Sequence, residues 1–165
     1  MTPIDPPAVL IGSLLTAVLA WAAITDIRDR RIPNRAVLAV LLLFVAWAAV
    51  GRAALGSSLA AGAIALVAGF LLVQFALMGA GDAKLFAALA LFAGMTGLPG
   101  LAFATAMAGG VLAVATLASR PTRTLTVLQM RGAGDLGRGI PYGVAIAAGA
   151  CVMLWGGLLG ISPHV

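Results

Sequence analysis

The chain holds five acidic residues, all of them aspartate, and two of these lie beside long apolar runs. Asp26 follows the run Ala8–Ile24, and Asp82 lies between the runs Leu59–Leu77 and Leu85–Ala93. A carboxylate close to lipid or to packed helices is costly, so an acid in such a place indicates a functional site. Two carboxylates held within a few ångströms in a poorly solvated site share one proton. The ionised one can activate water and the protonated one can polarise a carbonyl, which is the chemistry of aspartic proteases.

The sequence offers more than one candidate for the pair of carboxylates, because the tetrapeptide Gly-Ala-Gly-Asp occurs twice, ending at Asp82 and at Asp135. Asp135 lies in a segment rich in Arg and Gly, with no long apolar run directly before it, so we expect it to be solvated. Asp29 stands among three arginines and is expected to pair with them. Asp26 and Asp82 lie next to apolar runs, where burial can shift the pKa of a carboxylate. We therefore predict these two residues to be the catalytic pair.

Several residues near this pair are predicted to support it. Gly79 and Gly81 lack a Cβ atom and so allow backbone or substrate to come close to the acid. Lys84 either anchors its helix at the membrane interface or tunes the neighbouring carboxylate. Pro33 holds the chain out of a continuous helix after the first apolar run, and Pro33 and Asn34 together shape the turn there.

Other catalytic classes find little support in the sequence. The chain has one Cys and one His, Cys151 and His164, and these two cannot form a zinc site. His164 also lies beyond the last apolar run, so no Ser–His or Cys–His pair is indicated. We expect neither a metal nor another cofactor.

The composition predicts an all-α membrane protein with a single domain over residues 1–165. The chain is 62% hydrophobic and 9% charged, which is more apolar surface than a soluble domain of this size can bury. Runs approaching 20 apolar residues are typical of transmembrane helices, and the shorter runs would tilt or partly re-enter the bilayer. We predict a bundle of about six spans, namely Ala8–Ile24, Ala36–Val50, Leu59–Met78, Ala83–Ala93, Leu101–Ala118 and Ile140–Leu159.

The positive charges predict the orientation of these spans. With six spans, nine of the ten Lys and Arg residues fall on one side and only Arg52 on the other. The positive-inside rule makes the first side cytoplasmic and places both termini on the non-cytoplasmic side. The same parity brings Asp26 and Asp82 to the cytoplasmic ends of their helices. The basic residues lie in short loops without interleaved aromatics, so the net charge of +5 does not indicate nucleic-acid binding.

Three segments of the sequence resemble the type IV prepilin peptidase family, the membrane aspartic proteases with a Gly-x-Gly-Asp motif. Asp26–Asn34 resembles the segment of the first aspartate, which is followed by Ile-Pro-Asn. Gly79–Leu85 resembles the segment of the second aspartate, including the lysine two residues on. Ile140–Ala147 resembles the closing helix, which begins with Pro-aromatic-Gly, here Pro141 and Gly143.

The resemblance implies that Asp26 and Asp82 cleave type IV pilin-like precursors in the bacterial inner (cytoplasmic) membrane. The reaction would remove a short basic leader at the cytoplasmic face, and the rest of the precursor would be an apolar helix in the same bilayer. Longer family members carry an N-terminal domain with paired CxxC motifs that is associated with methylation. This sequence has no CxxC, so we do not expect methyltransferase activity. The short form is similar to the stand-alone peptidases of tight-adherence (Flp) pili, and a preflagellin-type peptidase fits the same motifs.

The alternative from another functional class is a small membrane carrier or proton-relay component, because acids inside the membrane also serve those roles. A carrier is typically built from inverted repeats with broken helices, which the sequence does not show. A protease needs both carboxylates on one face, open to an extended peptide. A carrier needs access from both faces of the membrane.

Overall fold

The computed structural model describes residues 5–118 and 142–159, and these form helices without any strand. The prediction of an all-α chain is confirmed. The helices are α1 (Pro6–Asp29), α2 (Asn34–Ala49), α3 (Leu55–Gln74), α4 (Ala80–Ala118) and α5 (Tyr142–Leu158). The long polar segment around Asp135, the residues before α5 including Pro141, and His164 lie outside the described residues.

Helix α4 consists of two helical segments that meet at Gly94. The backbone of Gly94 has φ 62° and ψ −178°, a conformation that essentially only glycine adopts. We call residues 80–93 α4a and residues 95–118 α4b. The Ser57 hydroxyl of α3 accepts a hydrogen bond of 2.9 Å from the Met95 N–H, so one backbone donor freed by the break has a partner.

The chain reverses its direction at this break. Along α3, Gly69 lies against Ala83 at the start of α4a, whereas Ser57 lies against Gly94 at its end. Helix α4b then runs beside α5, with Gly100 near Met153. Further along α4b, Gly109 lies near Tyr142 at the start of α5. Both pairs of segments are therefore antiparallel, and the described chain has six apolar segments that alternate in direction.

Small residues let the backbones of these helices approach closely. A Cβ atom built on Gly69 would lie 2.9 Å from the Ala83 Cβ, and one built on Gly62 would lie 2.5 Å from a Leu91 methyl carbon. Gly149 of α5 meets the Thr105 backbone of α4b in the same way, at 2.7 Å. Close approach at small residues is the usual basis of helix packing in membranes.

The core lies where α1, α4 and α5 meet. Its largest fully buried side chains include Leu15 and Leu19 of α1, Leu85 and Leu101 of α4, and Ile146 of α5. At the α2 side the core continues through aromatic contacts, with the Phe44 and Phe92 ring centroids 5.4 Å apart. At the start of α1, Asp5 forms an ion pair of 2.7 Å with Arg52, which follows α2.

The outer surface of the bundle is apolar, as a bilayer requires. Three stretches are long and apolar enough to cross a membrane: Pro6–Asp29, Leu55–Gln74 and Ala80–Thr116. The shorter helices α2 and α5 are also apolar. Large apolar side chains such as Leu10, Phe70 and Phe103 point outward. These features indicate a membrane protein, while the number of crossings stays a prediction.

The observed helices differ from the predicted spans mainly at their ends. Helix α1 continues to Asp29, because no helix breaker precedes Arg30 and polar residues can extend a helix beyond its apolar run. Helix α3 begins at Leu55 and ends at Gln74, four residues before the predicted end of that span. Residues 94–100, which separate two of the predicted spans, are helical except at Gly94. Pro99 lies inside helix, where burial of the neighbouring Leu101 favours the helical form.

The break at Gly94 makes a prediction about stability. The change Gly94→Ala places a Cβ on a backbone conformation that disfavours it, and we expect a loss of about 1–3 kcal/mol in the free energy of unfolding. Gly110→Ala in the same helix is the control, because a Cβ there meets no atom within 4 Å. It should stabilise the helix by about 0.5–1 kcal/mol. Denaturant unfolding in detergent micelles measures both changes, and equal effects would contradict the role of Gly94.

Candidate active site

Asp26 is positioned by the last turns of α1. The helix ends at Arg30, whose backbone is left-handed with φ 52° and whose N–H donates to the Asp26 carbonyl at 3.0 Å. This C-cap satisfies one of the terminal carbonyls and turns the chain back toward the bundle. The Asp26 side chain points inward from the helix, and only 6% of the residue is exposed.

The first turn of α5 supplies a hydrogen bond to this buried carboxylate. The Gly143 N–H donates to Asp26 Oδ2 at 2.9 Å. The first N–H groups of a helix have no partner within the helix, and their partial positive charge favours an anion. A carboxylate in this position is typically stabilised by about 0.3–1 kcal/mol, and by up to about 2 kcal/mol where it is partly buried.

Asp82 is positioned by a turn between α3 and α4. Helix α3 ends with Ala76 in a left-handed conformation, φ 55°, and the Leu77 N–H donates to the Leu72 carbonyl at 2.9 Å. This is the Schellman pattern of hydrogen bonds, which ends a helix sharply. Asp82 follows as the third residue of α4, and its carboxylate accepts a hydrogen bond from the Gly79 backbone N–H. Each of the two acids therefore contacts the N-terminal turn of a helix.

The two carboxylates line one cavity of about 300 Å³ at one end of the bundle. The other residues around it are Arg30, Arg31, Ile32, Gly79, Ala80 and Gly81. The arginines bring positive charge to the rim of this cavity. Its volume exceeds what one water molecule needs, so the cavity can hold water beside the two carboxylates.

Ile32 is wedged between two of the predicted glycines. A Cβ atom on Gly81 would lie 3.2 Å from the Ile32 Cβ, and one on Gly143 would lie 3.0 Å from Ile32 Cδ1 and 2.8 Å from Asp26 Oδ2. A Cβ on Gly79 would lie 2.7 Å from Asp82 Oδ2. The three glycines thus give the acids and Ile32 the space they occupy.

The remaining predicted site residues that the structure describes do not line this cavity. Pro33 has an extended backbone, φ −69° and ψ 137°, and forms the N-cap of α2, and Asn34 is the first residue of that helix. Lys84 projects from α4 toward a second cavity. Pro141 lies outside the described residues. The exposed Asp29 does not line the cavity.

Two kinds of contributor to this site were not predicted from the sequence. Arg30 and Arg31 had been assigned only to the orientation of the spans, and Ile32 only to a family motif. An available signal was their position between Asp26 and Pro33, because a short segment fixed at both ends must pass close to the acid. Among the described residues, no group of three or more His, Cys, Asp or Glu side chains could hold a metal ion.

The contact between Gly143 and Asp26 predicts a coupling that can be measured. Gly143→Ala should lower the free energy of unfolding by about 1–3 kcal/mol, because the new methyl group overlaps with the carboxylate. Removing the carboxylate with Asp26→Ala should recover part of this loss in the double variant. A double-mutant cycle on unfolding in micelles gives the coupling free energy. A value near zero would show that the two residues do not meet.

A comparison with known protein families gives one match. The profile of the type IV leader peptidase family matches residues 13–114, a stretch that contains both Asp26 and Asp82. Neither a curated protein nor a solved structure matches the chain. The family profile covers more than half of the chain and agrees with the resemblance of its motifs, so the chain belongs to the type IV leader peptidase family.

Proposed function

We propose that this protein is an aspartic endopeptidase that removes the basic leader from type IV prepilins of the Flp kind. Asp26 and Asp82 form its catalytic pair. The observation that carries the proposal is the cavity of about 300 Å³ that both carboxylates line. The family match supports a leader peptidase as the class of enzyme.

The proposed mechanism uses the two carboxylates in different protonation states. The ionised carboxylate takes a proton from water, which attacks the scissile carbonyl. The protonated one donates a hydrogen bond to that carbonyl and then protonates the leaving amine. The backbone N–H groups of Gly143 and Gly79 hold the carboxylates in place, so the reacting groups need little rearrangement as charge develops.

The proposed site faces the cytoplasm. Arg30 and Arg31 line the cavity, and Arg28 and Arg35 are close to it in the sequence. The opposite end of the bundle has the ion pair of Asp5 and Arg52, in which the charges cancel. The excess of positive charge at the end with the cavity supports a cytoplasmic location for that end.

Replacement of either acid tests the catalytic pair. Asp26→Asn and Asp82→Asn keep the size of the side chain but cannot exchange the proton, and each should lower the cleavage of a co-expressed Flp-type prepilin by about 10²–10⁴-fold. Asp29→Asn and Asp135→Asn are matched controls that should retain cleavage. The shift of the prepilin band on a gel measures all four variants.

Two outcomes would contradict the proposal. If Asp26→Asn or Asp82→Asn cleaved the prepilin as well as wild type does, the catalytic pair would be wrong. If well-folded wild type cleaved none of several prepilins, a carrier or proton-relay function would be favoured.

The orientation has its own test. Alkaline phosphatase is active only after export, so a fusion at Val165 should be active and a fusion after Arg31 should be inactive. The reverse pattern of activity would place the cavity on the outer face of the membrane.

A further inference from the structure

A second cavity, of about 330 Å³, opens between α2 and α3. We call it the lateral groove. Val37 and Leu41 of α2 form one wall, and Leu59, Ala63 and Leu66 of α3 form the other. These side chains are apolar, and Leu59 and Leu66 are both more than half exposed. Both walls belong to apolar helices, so the groove opens toward the lipid.

The lateral groove exists because α2 and α3 pack against α4 and leave a gap between each other. Its floor is formed largely by small residues, Gly62 of α3 together with Ala87 and Ala88 of α4a. Small residues leave a shallow apolar floor that the backbone of another helix can approach closely.

Lys84 marks one end of the lateral groove. Lys84 is exposed and lines the groove. In the described part of the chain the ion pair is that of Arg52 with Asp5, so Lys84 has no carboxylate partner among the described residues. Asp82 lies two residues earlier on α4a and lines the catalytic cavity instead. Residues two apart on a helix point to different sides, so α4a presents the acid to the cavity and the lysine to the groove.

We propose that the lateral groove holds the apolar helix of the precursor during cleavage. This inference rests on the proposed function, because it assigns the groove to the substrate of that reaction. From Lys84 to Leu91 the floor extends about 10 Å along α4a, or about two helical turns. The precursor helix lies against this floor as an apolar helix lies in a groove.

The charge at Lys84 sets how deep the precursor helix lies. A lysine keeps its ammonium group at the polar interface and its stem on apolar surface. The apolar part of the precursor therefore ends level with Lys84, and its polar leader begins beside Asp82. The groove thus brings the junction between leader and helix to the carboxylates.

Photocrosslinking tests the occupant of the groove. A benzophenone amino acid replaces Leu66, which lines the groove, or Ile64, which is exposed on α3 but does not line it. Both are placed in the full-length Asp82→Asn protein, co-expressed with an Flp-type prepilin in membranes. We expect the prepilin adduct from position 66 to exceed that from position 64 at least fivefold. Equal adducts, or adducts with phospholipid alone at position 66, would overturn the proposal.

A kinetic comparison tests whether the groove acts in the reaction. Ala63→Trp fills the groove, whereas Ile64→Trp places the same indole next to the groove, on the lipid side. Ala63→Trp should raise the KM for the full-length prepilin about tenfold, with a much smaller change in kcat, as expected for lost ground-state binding. Ile64→Trp should leave both constants within twofold of wild type. A loss in kcat alone, or equal effects of the two variants, would overturn the role of the groove.

These tests separate the two proposals. If wild type cleaves prepilin but the crosslinked adducts at positions 66 and 64 are equal, the groove is rejected and the peptidase function stands. Wild type that cleaves no prepilin rejects the peptidase function, whatever the crosslinking pattern.

Discussion

The hydrogen bond from the Gly143 N–H to the Asp26 carboxylate joins the first and last described helices. A buried carboxylate in an apolar bundle needs a donor, and helix starts are where unpaired backbone N–H groups are found. Helix α5 must therefore begin where α1 ends, and the two helices run antiparallel. Near the end of α5 the Trp155 indole donates to the Thr16 hydroxyl, midway along α1, at 3.1 Å. Between these two contacts α5 buries Ile146 and Leu154 in the core.

Close contacts explain why several positions in the described helices and turns are glycine. Gly143 and Gly79 each leave room for a carboxylate, and Gly81 leaves room for Ile32, which fills the space between α4 and α5. Elsewhere, Gly69 and Gly149 let helix backbones touch. Gly94 and Gly51 differ from these glycines because their φ angles are positive, 62° and 74°. The other glycines named here are therefore glycine because a Cβ has no space, whereas Gly94 and Gly51 are glycine for their backbone conformation.

The sequence was informative about the helices and the acids, and less so about what holds the acids. Continuous apolar runs predict helices, and the position of Asp82 between two runs predicts a carboxylate near the membrane. The donor to Asp26 is a backbone N–H, which has no side-chain signature, so Gly143 could be predicted only through a family motif. The position of Ile32 between Gly81 and Gly143 depends on three-dimensional packing, which the periodicity of the sequence does not reveal. Helix ends also depend on capping, and Ala76 and Arg30 cap without glycine.

The contact between α1 and α5 also affects how the protein is made. Helix α1 leaves the ribosome early and α5 late, so for most of synthesis Asp26 lacks the N–H group that stabilises it in the finished bundle. An uncompensated charge is costly to bury, by several kcal/mol, and the end of α1 therefore stays in contact with water or lipid headgroups until α5 arrives. The Asp26 carboxylate meets its Gly143 donor only at that point. Burial of this acid is thus timed by the insertion of α5, the last helix of the described chain to be made.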